Sequence, residues 1–139
     1  MDFRDNRFCF VCGEKNPQGL KLELRMDAER REAETEVTFP EHLQGWEKIV
    51  HGGMLATVLD EAMIYAALAA GRTCITGEIT IRFLKPAGTG IPLKVRGRFR
   101  EDKGRLVLAE SEVLDPEGEP VARASGKLFK IHPKKPGTT

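Results

Sequence analysis

The sequence has no excess of charge of either sign. Its 22 Lys and Arg residues face 21 Asp and Glu over 139 residues, a formal net charge of +1. That balance excludes a surface built to neutralise nucleic-acid phosphates and a polybasic membrane anchor. Cysteine is scarce and odd in number. Cys9, Cys12 and Cys74 are too few for a disulfide framework and suit a reducing compartment. The opening Met1-Asp2-Phe3-Arg4-Asp5 lacks the apolar run of a secretory signal, so a cytoplasmic setting is expected. Long apolar runs are missing too, with one exception between Gly53 and Gly71, and that run carries Thr57, Asp60 and Glu61 near its middle. Two adjacent carboxylates there would cost about 2.5–3.5 kcal/mol each in a bilayer, so no membrane is expected as a partner.

What is present fits one domain. The length suits a single core, and 40% hydrophobic with 31% charged residues is ordinary globular composition. The Gly53–Gly71 run is rich in Ala, Leu and Met and contains no proline, which favours a helix. It is apolar nearly all round, so the helix is expected to be wrapped by other structure. Gly52-Gly53 open it and Gly71 stands where a helix-ending glycine belongs.

The wrapping reads as strands. Leu20, Leu22, Leu24 and Met26 alternate with charged residues, and Ala33, Thr35 and Val37, then Ile75, Ile79, Ile81 and Phe83, then Leu93, Val95 and Phe99 alternate with charged residues or threonines. This period of two marks half-buried antiparallel strands. Arg105–Leu114 and Pro120–Ile131 alternate less strongly, and Gly104 and Gly118 end the turns before them. The expected class is α+β: about six antiparallel strands in one curved sheet around one long helix. Residues 1–19 are expected to form an N-terminal flap, residues 20–132 the domain, and residues 133–139 a disordered tail. Lys94, Arg96, Arg98 and Arg100 form a comb expected to be a solvated strand face.

The densest chemistry lies in His51-Gly52-Gly53 and in Asp60. The first N–H groups of a helix have no partner within it, glycine lets a ligand reach them, and the helix dipole makes the spot positive. Such a start is suited to an oxyanion. Asp60, on an apolar helix, is costly unless paired or used.

This segment resembles the hot-dog fold thioesterases, specifically the PaaI-type (phenylacetate-pathway) acyl-CoA thioesterase group. His51-Gly52-Gly53 with an acid nine positions after the histidine matches that group's signature. Cys9-Phe10-Val11-Cys12-Gly13 with Asn16-Pro17 and Gly19-Leu20 is similar to the start of one bacterial subgroup, and Thr76 to Pro86 to the group's third strand. The resemblance implies hydrolysis of an acyl-CoA thioester with no metal or organic cofactor, coenzyme A being part of the substrate. It implies that Gly52 or Gly53 donates an N–H to the carbonyl, that Asp60 acts as general base or nucleophile, that Thr76 orients water, and that His51 fixes the loop. The two halves of the site would come from opposite subunits, so a homodimer is expected, with a tetramer as a further step. Some relatives have a side-chain amide where this chain has Gly45. Gln44 and Trp46 flank it, and with Glu61, Glu78, Arg82 and Lys85 they are candidate substrate contacts, the two cations toward the phosphates of coenzyme A.

Other readings remain open. Glu61, about 100° around the helix from Asp60, is the alternative acid. A non-catalytic acyl-CoA or lipid-binding module could use the same scaffold. A hydratase would place its aspartate before its histidine, the reverse of the order here. Cys9-x-x-Cys12 has the spacing of half a zinc site, but Cys74, His42, His51 and His132 supply no second close pair, so no metal is expected.

Overall fold

The structure is a computed structural model that describes residues 2–133. The tail expected to be disordered lies, apart from Pro133, outside the described residues. In chain order the elements are β1 (Arg25–Asp27), β2 (Glu32–Thr38), a 3₁₀ turn at Glu41–Leu43, α1 (Gly52–Ala69), β3 (Cys74–Phe83), β4 (Pro92–Lys103), β5 (Leu106–Leu114) and β6 (Pro120–Lys130). The six strands form one antiparallel sheet in the order β1-β2-β4-β5-β6-β3. The α+β expectation holds, with a single sheet curved over a single long helix.

The helix is placed by what the sheet omits. Gly97 on β4 lies so close to α1 that a Cβ there would sit 2.0 Å from the Ala62 carbonyl oxygen. Gly126 on β6 leaves room for the Met63 thioether. Between them on β5, Ser111 donates its hydroxyl to the Leu59 carbonyl at 2.8 Å, satisfying a polar group that burial would otherwise strand. Leu55, Val58, Leu59, Ala62, Met63, Ala66 and Ala67 are thereby buried, packing with Phe39, Leu93, Val95 and Leu128. The helix is long and apolar enough to cross a bilayer by composition, yet this face is occupied by the sheet. Its other side, with Asp60, Ile64 and the exposed Leu68, is only partly covered.

Both helix ends follow the sequence. The His51 side chain caps the start. At the other end Gly71 takes φ 79°. Its N–H bonds to Leu68 O at 2.9 Å and that of Arg72 to Ala67 O at 2.8 Å, a Schellman closure. Gly104 and Gly118 likewise adopt positive φ in their turns.

One strand expectation is revised. Leu20, Leu22 and Leu24 pack against the core as their alternation implies, but only Arg25–Asp27 pairs with β2. The preceding residues bond instead to the N-terminal segment, Leu20 N–H to Phe10 O at 2.8 Å and Leu22 N–H to Val11 O at 2.9 Å. Alternation reports which side chains face inward and cannot tell whether the backbone partner is a strand. On the outer face the basic comb is met by acids. Lys94 and Arg96 lie against Glu34, Arg98 against Glu32 and Arg100 against Glu110. Such exposed pairs contribute little stability each.

Candidate active site

The loop before α1 is tied down by its backbone. His51 N–H bonds to Leu43 O at 3.0 Å, Val50 N–H to Ala87 O at 2.8 Å, and Gly45 N–H to Ile49 O at 2.9 Å. His51 then turns its ring back, and Nδ1 accepts the Gly53 N–H at 2.9 Å. Met54 and Leu55 N–H groups bond to His51 O. Of the two glycines at the helix start, Gly53 therefore has its donor occupied, whereas Gly52 N–H has no acceptor among the described residues. A cavity of about 370 Å³ opens beside it, lined by Gly45, Trp46, Ile49, Val50, His51 and Gly52. Phe83, the last residue of β3, lies on the other side, its ring 3.6 Å from where a Gly52 Cβ would stand.

Asp60 sits two turns along α1, half-buried. The Thr76 hydroxyl donates to its Oδ1. Thr76 lies where β3 departs from regular pairing, a register shift between Thr76 and Glu78 opposite β6. Gly77 fills that irregularity because any Cβ would meet the Phe129 ring at 2.3 Å. Bulges of this kind re-aim neighbouring side chains.

Residues 47–122 match the family model described as the thioesterase superfamily. The chain belongs to the thioesterase superfamily. Acyl-coenzyme A thioesterase PaaI of Escherichia coli strain K12 is 28% identical over 81 residues, a match that spans 58% of this chain and 58% of PaaI. The structure of E. coli PaaI superposes with a TM-score of 0.74 at 24% identity, covering 83% of each chain. The thioesterase superfamily protein RHA08564 superposes with a TM-score of 0.82 at 24% identity, covering 90% of this chain and 61% of that one. Smu.793 from Streptococcus mutans UA159, bound to acetyl CoA, gives 0.74 at 18% identity, covering 82% of this chain and 91% of that one. The hot-dog architecture is thus shared with these proteins.

Within this superfamily member the other candidate residues separate by position. Trp46 is 85% exposed at the rim of the cavity. Gln44 accepts the Lys48 N–H at 2.8 Å through its side-chain oxygen, which closes the loop that carries Trp46. Lys85 is paired with Asp115 in the turn between β5 and β6. Glu78 is exposed and faces Lys127 at 3.8 Å. Arg82 is exposed on β3 opposite Arg123 and forms no ion pair among the described residues.

Glu61 points away from Asp60 and Thr76, toward the N-terminal segment. Its Oε2 accepts from Cys9 Sγ at 3.5 Å. Burial raises its carboxyl above the usual range, against the opposing effect of the Cys9 and Cys12 thiols. Burial likewise pushes the Cys12 thiol up to about 12, with the Tyr65 hydroxyl facing it. The partner of the Cys-x-x-Cys pair is therefore Glu61, rather than Cys74 or a histidine. Sequence reasoning missed this because no spacing links residue 9 to residue 61. It also missed Phe83, which only the return of β3 along α1 brings to Gly52.

Proposed function

We propose that this chain is an acyl-CoA thioesterase whose active site is shared between two copies. The observation that carries the reading is a separation. The Gly52 N–H, without an acceptor among the described residues, and the Thr76-held Asp60 carboxylate lie on one helix two turns apart, roughly 12 Å by helical rise. Groups that act on one carbonyl must approach within a few ångströms of it, so one copy cannot use both on the same substrate.

A second copy resolves this. β3 is a ten-residue edge strand with Ile75 and Phe83 exposed. A long edge of that kind is a template for pairing. Antiparallel pairing of β3 with its own copy, about a two-fold axis midway between Thr76 and Phe83, sets the Thr76 end of one strand beside the Phe83 end of the other. Asp60 accompanies Thr76 and Gly52 accompanies Phe83, so base and oxyanion donor meet across the interface. The partly covered Ile64 and Leu68 on α1 supply further apolar surface for the partner.

In the reaction, the thioester carbonyl oxygen accepts the Gly52 N–H. Asp60 removes a proton from water as the oxygen attacks the carbonyl carbon. The tetrahedral intermediate collapses, the C–S bond breaks, and the proton returns to the thiolate leaving group. Thr76 holds the carboxylate in its orientation, and His51 holds Gly53 so that Gly52 leads the helix. One oxyanion donor contributes roughly 10²–10³ in rate and a positioned base about 10²–10⁴. The cavity beside Trp46 is suited to the acyl group. Arg82, with no acidic partner among the described residues, is better suited than Lys85 to meet a phosphate of coenzyme A. The acetyl CoA bound by Smu.793 and the activity in the name of PaaI support a coenzyme A thioester as substrate.

The test is thiol release from a panel of acyl-CoAs. At least one is expected to be hydrolysed, and Asp60→Asn is expected to lose about 10²–10⁴ of turnover while keeping its melting temperature. Unchanged turnover in that variant would remove Asp60 from the mechanism.

A further inference from the structure

We propose that Cys9, Cys12 and Glu61 form a binding site for a soft divalent cation of the zinc class, which clamps the N-terminal segment onto α1. Among the described residues, these three offer ligand atoms that all lie within 4.8 Å of one another. In a tetrahedral zinc site, with Zn–S near 2.3 Å and Zn–O near 2.0–2.2 Å, neighbouring ligand atoms stand roughly 3.5–3.8 Å apart. Closing the present cluster onto an ion thus requires shifts of about an ångström, within reach of side-chain rotation alone.

The donors come from two elements held independently. Glu61 is carried by the core helix, between Asp60 and the fully buried Ala62. The cysteines sit on a tight turn closed by the Gly13 N–H to Cys9 O bond at 2.9 Å. That turn tolerates no side chain at Gly13, where a Cβ would stand 2.3 Å from Cys9 N. Val11, between the cysteines, is buried, and the Phe10 and Val11 carbonyls hold the chain that follows. Both thiols face the Glu61 carboxylate. The Tyr65 hydroxyl, one turn further along α1, faces Cys12, and a fourth ligand, phenol or water, would complete a tetrahedron.

The chemistry of the set selects the ion. Two thiolates favour zinc and its soft congeners over magnesium or calcium. Binding releases the two thiol protons to solvent. A disulfide between the cysteines would make no use of Glu61, whereas a cation draws all three groups to one point. The site is separate from hydrolysis, since Asp60 projects from another side of the helix toward Thr76. The proposal stands whether or not the chain is a thioesterase.

The experiment titrates the full chain, reduced and freed of metal by a chelator, with Cd²⁺ alone and then Zn²⁺ alone. One Cd²⁺ per chain is expected, with a thiolate-to-cadmium charge-transfer band in the ultraviolet and a raised melting temperature. Cys9→Ser and Cys12→Ser are each expected to lose stoichiometric uptake, while Cys74→Ser retains it. Glu61→Gln is expected to keep a thiolate band but bind at least about 10-fold more weakly, the loss that even an outer-shell partner produces. Should a cysteine variant fail to fold, the native chain supplies the answer. Zn²⁺ is expected to shield Cys9 from iodoacetamide, read by peptide mass. Absence of the band, its persistence in Cys9→Ser or Cys12→Ser, or equal alkylation of Cys9 with and without Zn²⁺ overturns the site.

Discussion

The Thr76 hydroxyl donates to the Asp60 carboxylate, joining the edge strand of the sheet to the middle of the central helix. If Asp60 is the base, the hydroxyl serves to hold its carboxylate in one orientation. Thr76→Ala is expected to lower kcat by less than Asp60→Asn does, with KM little changed, and Thr76→Ser to recover most of the loss. Steady-state thiol release on the three variants checks this. Equal kcat in Thr76→Ala and the native chain would show that Asp60 needs no such support.

The two glycines at the start of α1 should respond differently to alanine. At Gly53 the new Cβ would stand 3.1 Å from His51 Nδ1, crowding the cap that accepts its N–H. Loss of a helix cap costs about 0.5–2 kcal/mol, so Gly53→Ala should melt at lower temperature. At Gly52 the new Cβ meets the Phe83 ring at an ordinary 3.6 Å. Gly52→Ala should therefore fold at least as stably, since alanine costs less chain entropy than glycine. The methyl would nevertheless stand beside the N–H proposed to hold the carbonyl, so kcat should fall. Thermal melts paired with turnover separate the two effects.

If the site is shared between copies, inactive variants should complement each other. Asp60→Asn supplies an intact Gly52, and Gly52→Ala supplies an intact Asp60. A mixed dimer holds one fully native site and one doubly altered site. Co-expression, or unfolding and refolding of the mixture, should restore a substantial part of the activity that neither variant shows alone. Failure to restore any, with mixed dimers demonstrated by differential tags, would place both groups in one copy.

Gly97→Ala tests how the helix is seated. The added carbon would overlap the Ala62 carbonyl at 2.0 Å, a backbone atom of α1 that cannot swing aside. Overpacking of this kind costs about 1–3 kcal/mol and occasionally more. A lower urea midpoint is expected, and a native-like midpoint would mean that α1 shifts freely on the sheet.

Acid stability should report Asp102. Its carboxylate accepts two bonds from Arg72, at 2.7 and 3.2 Å, and lies 2.7 Å from Lys130 Nζ. The Arg72 hydrogen bond first, then that of Lys130, lowers its pKa to about 2 from an ordinary 3.8. A carboxyl with a lower pKa folded than unfolded contributes stability that is present above the unfolded value and is lost as pH falls through the folded one. Asp102→Asn should therefore be less stable than the native chain near neutrality, and the gap should close between about pH 4 and pH 2. The cluster is exposed, so added salt should narrow the gap as well. A gap constant with pH would show that the pairing contributes nothing.

Much of the fold is legible in the chain because each element carries its own local cause. The alternation of Ile79 and Ile81 with Thr80 and Arg82, the apolar run from Met54 to Ala70, and the Gly71 that ends it each follow from properties of neighbouring residues. The Leu20–Leu24 stretch marks the boundary of that reasoning. Its pattern is that of a strand, but its backbone partners lie in the segment of Phe10 and Val11, which no local rule identifies. The candidate site divides in the same way. His51-Gly52-Gly53 and Asp60 stand out by type and spacing on one helix. Phe83 beside Gly52, and Glu61 beside Cys9, join residues far apart in sequence.

By itself, then, the sequence determined which residues turn inward, where the helix starts and stops, and that a glycine pair and a carboxylate share that helix. Periodicity, capping and the helix dipole act over a few residues, so their signals are local. Tertiary structure alone decided that Phe83 stands beside Gly52, that Thr76 reaches Asp60, and that Glu61 faces two cysteines. Those pairings depend on the order of strands in the sheet, on the irregularity at Gly77 and on the close seating of α1 over Gly97. Each is a consequence of packing many distant segments at once, which no single stretch of the chain encodes.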